Sequence, residues 1–334
     1  MEVMKKYKIS IVIPIFNAEK VINRCMESII REKFEGVQVI LVDDGSTDES
    51  YNICLEWKKN TDYVEVIHTR NNGVSAARNR GILEAKGEYV LFLDADDWLL
   101  NGWYEEVNAL IDKKYDLILF SYKVVYEDKR KNYEVHPFCE GKITINQVYE
   151  SLATTTYMNF CWGKLIKLSF LRQNDILFSV GKKIGEDSEF QFKILQFDPS
   201  IYYRQFPMIS YYQGENSVMH RFEESKFKNL EEDFIFRKNV INKIEQVAPE
   251  IYNGFYNNLA VILISYTIKL SKIKNKKEFC LFMEQQTEKS YYQEIINKAK
   301  FSLKKMDKRV VLAFLRKRKW KILYFIFQRV STKN

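Results

Sequence analysis

Three carboxylates close an apolar run in Tyr89-Val90-Leu91-Phe92-Leu93-Asp94-Ala95-Asp96-Asp97-Trp98. Like charges packed this closely repel unless a cation stands between them. A hard divalent ion held by one or two carboxylates plus substrate phosphates suits such a cluster. The plainer alternative is that Asp96 or Asp97 caps the helix expected from Trp98 to Ile111. A cap accounts for one acid, not three. The chain has only His68, His136 and His220, so histidine-rich metal chemistry is disfavoured, which leaves oxygen ligands and hence Mg2+ or Mn2+.

Two further stretches carry groups of the same kind. In Val42-Asp43-Asp44-Gly45-Ser46-Thr47-Asp48 the glycine permits a tight turn and Ser46, Thr47 or Asp48 can cap a helix. A buried carboxylate at Asp43 can instead accept a hydrogen bond from a base imide or a ribose hydroxyl. Asn71-Asn72-Gly73-Val74-Ser75-Ala76-Ala77-Arg78-Asn79 reads as a turn and a helix of small residues, which admit a ligand or another backbone. Arg78 can reach a diphosphate as a planar fork, or serve as a surface ion-pair partner. No G-x-G-x-x-G follows a strand, and Gly141-Lys142, Gly163-Lys164 and Gly181-Lys182 lack the Ser/Thr that completes a phosphate loop.

Positioning these groups requires strands that deliver them to one edge. The pattern predicts strands at Ile9–Ile13, Val37–Val42, Val64–Ile67, Tyr89–Leu93 and Leu117–Phe120. Helices are expected near Ala18–Arg31, Asp48–Lys58, Val74–Ala85 and Trp98–Ile111. Alternation of this kind predicts an α/β fold with a mostly parallel sheet covered on both faces, whose ligands gather outside the carboxyl ends of the strands. Pro14 is expected to interrupt the first strand where the chain leaves the sheet. Tyr122–Tyr126 suggests a hairpin to Val135.

A chain of 334 residues suits one α/β domain of about 200 residues and a further module. Five cysteines, odd in number and without C-x-x-C, suggest neither a disulfide framework nor a zinc site and favour a reducing, cytoplasmic setting. Lys5, Lys6 and Lys8 precede a short apolar run holding Pro14, which reads as a first strand and not as a signal peptide. Net charge is +8, yet the last 34 residues hold eleven Lys/Arg against Asp307 alone, a local excess of ten. The remainder is slightly acidic, so a basic tail for an anionic partner fits better than general nucleic-acid binding.

Taken in order, Ser10-Ile11-Val12-Ile13-Pro14-Ile15-Phe16-Asn17, the Asp43–Asp48 stretch, Asn72–Asn79 and Asp94-Ala95-Asp96-Asp97 resemble the family 2 glycosyltransferases of GT-A fold, of the bacterial capsular and exopolysaccharide kind. The resemblance is close over about the first 120 residues and looser to about residue 220. It implies a nucleotide-sugar site drawn from Pro14, Phe16, Asn17, Glu19, Asp43, Asn72, Ser75, Arg78, Asp94, Ala95 and Asp96. Asp43 would contact the base, and Asp94 and Asp96 would hold the metal and the donor sugar, with Asp96 the direct ligand. Gly185-Glu186-Asp187 resembles the family's E-D motif, which makes Asp187 the catalytic base and Glu186 its neighbour. A first-turn acidic cluster favoured by the helix dipole would look the same. Trp162 is a candidate acceptor platform or a core tryptophan, and Lys164 neutralises phosphate or faces water. His220, in a segment resembling the end of the catalytic region, is a further candidate metal ligand.

The implied domains are 1–220, catalytic, and 221–334, a helical module with a basic tail. Leu259–Leu270 is too short for a bilayer span and reads as a buried helix. The apolar runs flanking Arg316-Lys317-Arg318-Lys319-Trp320-Lys321 suit an anionic membrane surface or a partner subunit, a homodimer included. The expected function is an inverting, metal-dependent transferase that moves a sugar from a nucleotide diphosphate donor, a UDP-sugar, to a glycan or lipid-linked hydroxyl at the inner face of the membrane. The rival reading is a nucleotide-sugar-binding subunit without turnover. Sugar-nucleotide pyrophosphorylases are excluded because Pro14–Lys20 lacks their glycine- and lysine-rich loop.

Overall fold

The computed structural model describes residues 7–155, 157–181, 185–213, 224–244, 247–301 and 306–329. They fall into two compact units, Met1–Val148 with Tyr157–Gly214, and Tyr149–Thr156 with Glu215–Asn334.

The first unit opens with strands and helices in alternation: β1 (Ile9–Ile15), α1 (Ile22–Ile30), β2 (Val37–Asp43), α2 (Ser50–Asn60), β3 (Val64–His68), α3 (Val74–Glu84) and β4 (Tyr89–Phe92). There follow β5 (Trp98–Leu99), α4 (Trp103–Ile111), β6 (Leu117–Tyr126), β7 (Tyr133–Val135), β8 (Gly141–Lys142), α5 (Ile145–Thr154, of the second unit from Tyr149 on), β9 (Lys164–Lys167), α6 (Leu168–Gln173), α7 (Glu186–Leu195) and β10 (Ile201–Gln213). One sheet runs β3-β2-β1-β4-β9-β6-β10-β5, with β7 on β6 and β8 on β10. β1, β2, β3 and β4 are parallel neighbours, as are β6 and β10, while β9 runs antiparallel between β4 and β6. This is the expected α/β class, and the β6–β7 hairpin is also present. Every residue of β2 and β4 is buried, as strands covered on both faces require. The small residues of α3 let it lie hard against β1: a Cβ at Gly81 would sit 2.2 Å from Val12 Cγ1.

Two expectations fail locally. Pro14 does not end β1, which continues to Ile15, paired with Asp43. Val12 O accepts from Leu93 on the β4 side and Ile15 O from Asp44 on the β2 side. Alternate residues face opposite neighbours, so Pro14 faces β4 where that ladder has already ended, and its missing N–H costs nothing. Nor does a helix begin at Trp98. Trp98 and Leu99 pair with Ser210 and Ile209, and α4 starts at Trp103 behind Gly102, with Glu105 and Glu106 as its first-turn acids. Asp96 and Asp97 therefore cap no helix.

The second unit contains α8 (Ser225–Ile241), α9 (Pro249–Ile273), α10 (Lys276–Thr287), α11 (Ser290–Lys298), α12 (Met306–Arg316) and α13 (Trp320–Arg329). α9 buries Tyr256, Leu259, Leu263, Thr267 and Leu270 along one stripe, so the Leu259–Leu270 run is core. Among the described residues no helix is long and apolar enough to cross a membrane. The tail is docked, not free: Trp320, Leu323 and Phe327 are buried, and Trp320 Nε1 donates to Glu284 Oε2 at 2.7 Å. Trp320 is thus unavailable to a membrane surface, because α13 uses it to close the helical core.

Candidate active site

At the carboxyl end of β2 the acids are engaged in building loops. Asp44 Oδ1 accepts from Asn72 N at 2.9 Å and Oδ2 from Gly73 N at 2.8 Å, which joins the loops after β2 and β3. Gly45 (φ 72°) brings them so close that a Cβ there would lie 2.8 Å from Asn71 N. Asn17 (φ 50°) does the same for the β1 loop, accepting from Thr47 N at 2.8 Å and donating its own N–H to Ser46 Oγ at 3.0 Å. Glu19 Oε2 accepts from Glu49 N at 3.2 Å. Asp43 is fully buried with Oδ2 against His68 Nδ1 at 2.6 Å, while its Oδ1 has no partner among the described residues. The His68 ring sits 4.5 Å from that of Tyr51. Phe16, half exposed, and Asn72, exposed, stand at this rim, while Ser75 is buried with a hydroxyl unpartnered among the described residues.

Beyond β4 the acids lie next to one another with fewer partners. Asp97 is buried and accepts from Tyr212 N at 2.9 Å through Oδ1, but its Oδ2 is unpartnered among the described residues. Burial first, then the charges of Asp94 and Asp96, push the Asp97 carboxyl well up. Asp96 is exposed, yet hemmed in enough that burial and then Asp94 raise its carboxyl too. Its side chain makes no hydrogen bond or ion pair to another residue among those described. Arg24 reaches only the Asp96 carbonyl, at 2.6 Å, from between the rings of Trp98 and Tyr212, at 4.2 and 4.8 Å. Ala95 is nearly buried.

The two acidic centres meet at Arg78. Buried on α3, it gives Nη2 to Asp94 Oδ1 at 2.9 Å and Nη1 to Asp187 Oδ1 at 2.6 Å, with Glu186 Oε1 3.9 Å from the same nitrogen. The expected diphosphate fork is therefore a fork between carboxylates, since both terminal nitrogens are occupied. Asp187 stands in the first turn of α7, and its Oδ2 accepts from Cys161 N at 3.2 Å. It does not cap its own helix, yet with Glu186 and Glu189 it forms the first-turn acidic cluster that the helix dipole favours, so both readings of the motif describe its place. Burial raises the Asp187 carboxyl, Arg78 pulls it down and Asp94 pushes it up, leaving it above the ordinary range. A reciprocal pair between Asn79 and Phe178, with N–O distances of 2.9 and 2.8 Å, ties the loop before α7 to α3. Phe178, stacked on Phe190 at 3.8 Å, lies under the Arg78 guanidinium.

Trp162 and Lys164 do not present themselves to an acceptor. Trp162 is 3% exposed, stacked on Phe160 at 4.5 Å and edged by Tyr122, so the core reading holds. Lys164 neither faces water nor waits for phosphate: it is buried, donates to Phe160 O and Trp162 O at 2.5 and 3.2 Å, and burial lowers its ammonium to about 8. His220 lies outside the described residues. Arg24, Cys161, His68 and Tyr212 were not legible as site residues, because each acquires its role from a neighbour remote in sequence. His68, at the end of a strand beside the acids of the next, carried the one available signal.

Among the described residues no three His, Cys, Asp or Glu side chains close around an ion. Asp96, with an uncommitted carboxylate, and Asp94 beside it nonetheless fit a hard divalent cation shared with substrate phosphates.

The family model for glycosyl transferase family 2 matches residues 10–172. Among curated relatives, the putative glycosyltransferase EpsH of Bacillus subtilis is 27% identical over 68% of this chain and 67% of its own length. The cholesterol galactosyltransferase of Borreliella burgdorferi is 25% identical over 80% of this chain and 79% of its own. Against glycosyltransferase GlyA of Streptococcus pneumoniae, 29% identical over 61% of this chain, the match spans only 30% of the relative's length. The crystal structure of S. aureus TarS 1–349 in complex with UDP-GlcNAc shares the fold, with a TM-score of 0.66 at 20% identity over 96% of this chain and 90% of that one. Residues 10–172 therefore make up a glycosyl transferase family 2 domain.

Proposed function

We propose that the protein is an inverting, metal-dependent glycosyltransferase that moves a sugar from a UDP-sugar to a hydroxyl of a lipid-linked or polysaccharide acceptor in cell-surface glycan synthesis. The observation that carries this reading is the single buried guanidinium holding Asp94 and Asp187 at fixed spacing, one facing the metal-binding acid and the other a raised carboxyl suited to proton transfer. The glycosyltransferase names of the relatives and the UDP-GlcNAc bound to TarS support the donor class.

The residues divide the work. Asp43 Oδ1 lacks a donor among the described residues, and the imide N–H of uracil is one; cytosine offers an acceptor at that position and would leave two acceptors facing each other. A cation at Asp96 and Asp94 would supply Lewis-acid stabilisation of the departing diphosphate. Asp187 takes the proton of the acceptor hydroxyl, held in orientation by Arg78 and by Cys161 N. Attack from the face opposite the leaving group in a single displacement inverts the anomeric centre. A lipid-linked or polymeric acceptor places the enzyme peripherally at the inner face of the membrane.

The test is a screen of nucleotide sugars for metal-dependent release of nucleoside diphosphate, run beside Asp187→Asn. UDP-sugars should turn over, and the variant should keep donor affinity while losing about 10²–10⁴ in transfer. Binding of UDP without turnover on any donor would favour the silent-subunit alternative, and an unimpaired Asp187→Asn would remove the base.

A further inference from the structure

α13 is apolar on two opposite faces. At 3.6 residues per turn, Trp320, Leu323 and Phe327 share one side and are buried in the helical unit. Ile322, Phe325 and Ile326, at i, i+3 and i+4, share the other and are 45%, 57% and 37% exposed. A helix on the surface of a soluble core normally turns charged residues outward, so this outer stripe is unexplained by the fold. The charged residues of its own segment are all basic. Residues 308–329 contain no acid, and Lys319, Lys321 and Arg329 are exposed with no ion pair among the described residues. Lys276 lies 4.6 Å from the centre of the Phe325 ring. Ile273, 58% exposed, sits in the turn to which α13 is fastened by Tyr324 OH on Lys274 O and by Lys272 Nζ on Gln328 O.

Two arginines of the basic run have other duties. Arg316 bonds the carbonyls of Ile296 and Ala299 at 2.6 and 2.8 Å, closing the carboxyl end of α11. Arg318 pairs with Glu284 and Glu288. The unpaired charge beside the apolar stripe is thus carried by Lys319, Lys321 and Arg329.

We infer that the outer face of α13 is a docking surface for an anionic lipid bilayer, with Ile322, Phe325 and Ile326 entering the headgroup boundary and Lys276, Lys319 and Lys321 meeting the headgroups. Charge complementarity selects the occupant: the stripe supplies burial and the acid-free rim supplies attraction to negative headgroups. The inference rests on the proposed function only for the location of the acceptor, and it assigns that location to residues outside the catalytic unit.

The experiment uses the full chain with vesicles of phosphatidylcholine alone or mixed with phosphatidylglycerol, measured by co-sedimentation. Wild type should partition to the acidic vesicles and weaken as salt rises. Lys319→Gln with Lys321→Gln should lower partition on the order of 25-fold at low salt. Phe325→Ser should lower it roughly tenfold and leave the remaining binding salt-sensitive. Release of nucleoside diphosphate with a water-soluble acceptor, followed in parallel, should be unchanged in all variants, so loss of docking is distinguished from loss of catalysis. Wild type that stays in solution with acidic vesicles overturns the proposal, as does equal partition of wild type and both variants. A dimer that Phe325→Ser converts to monomer would assign the face to a second copy instead and equally overturn it.

Discussion

The acids after β2 and those after β4 flank the same strand, β1, and yet their chemistry differs. Asp44 has both oxygens on backbone N–H groups of the neighbouring loop, and Asp43 has one on His68. These carboxylates are part of the scaffold, with a single oxygen left over. Asp96 has no side-chain partner among the described residues, Asp97 has one oxygen unmet, and both are pushed upward by burial and by their neighbours. Two acidic motifs of similar appearance are thus a loop clamp and a charge reservoir. The number of backbone donors within reach of each carboxylate makes the difference, and the second motif, with neighbouring carboxylates left unsatisfied, is the one whose chemistry fits a cation.

The largest effect should come from emptying the reservoir. Asp96→Ala removes the uncommitted oxygen donor and should lower metal-dependent turnover on the order of 10³-fold or more, with the fold intact by circular dichroism. Wild-type turnover at saturating Mn2+ would place the ion elsewhere. Next comes the link between the centres. Arg78→Lys keeps the charge but cannot span Asp94 and Asp187 together, so turnover should fall roughly 10–100-fold while UDP affinity changes little. If UDP affinity falls in proportion to turnover, Arg78 acts on the nucleotide and not on the carboxylates.

Much of this arrangement was legible in the sequence because it follows strand ends. Apolar runs at Val37–Val42 and Tyr89–Leu93 place Asp43 and Asp94 at one edge of the sheet without reference to anything remote. Trp98 misled, since an apolar pair after three acids reads as a helix start until β10, more than a hundred residues later, offers a strand to pair with it. Arg78 and Trp162 stayed open between two readings for a related reason. Their partners Asp187, Phe160 and Tyr211 come from segments whose approach is set by packing, which periodicity does not encode. The tail shows the same limit: the apolar run of α13 was visible as composition, while which of its residues face inward depends on α9 and α10.

On the clamp side, Asp44→Ala leaves the N–H groups of Asn72 and Gly73 without their acceptor. Stability should fall by about 1–3 kcal/mol, read as a lower urea midpoint at unchanged m-value. Turnover measured well below that midpoint should fall less than in Arg78→Lys. A loss as large as that of Asp96→Ala with stability unchanged would move Asp44 from the clamp to the reservoir.

The smallest effect is the sharpest test of the comparison, because its sign differs between regions. Against the upward push of burial, hydrogen bonds from Lys238, Tyr256 and Lys298 hold the Glu294 carboxyl at about 2. Its stabilising contribution is present above the unfolded value and is lost as pH falls toward 2. Asp96 and Asp97 are raised, so folding disfavours their charged forms. Their contribution is most favourable at low pH and is lost as pH rises through the raised values. In metal-free protein at pH 7, Asp96→Asn should therefore raise stability, by well under 1 kcal/mol because the group is exposed. The gain should shrink as pH is lowered through the raised value and wild type becomes protonated. Added Mn2+ should reverse the order, stabilising wild type by about 2.7 kcal/mol at a hundredfold excess over its dissociation constant and the variant by much less. Thermal unfolding of both proteins with and without Mn2+ reads all four states. A metal-free Asp96→Asn that melts below wild type, or one that gains as much from Mn2+, would show that the acids after β4 are satisfied by the protein itself, like those after β2.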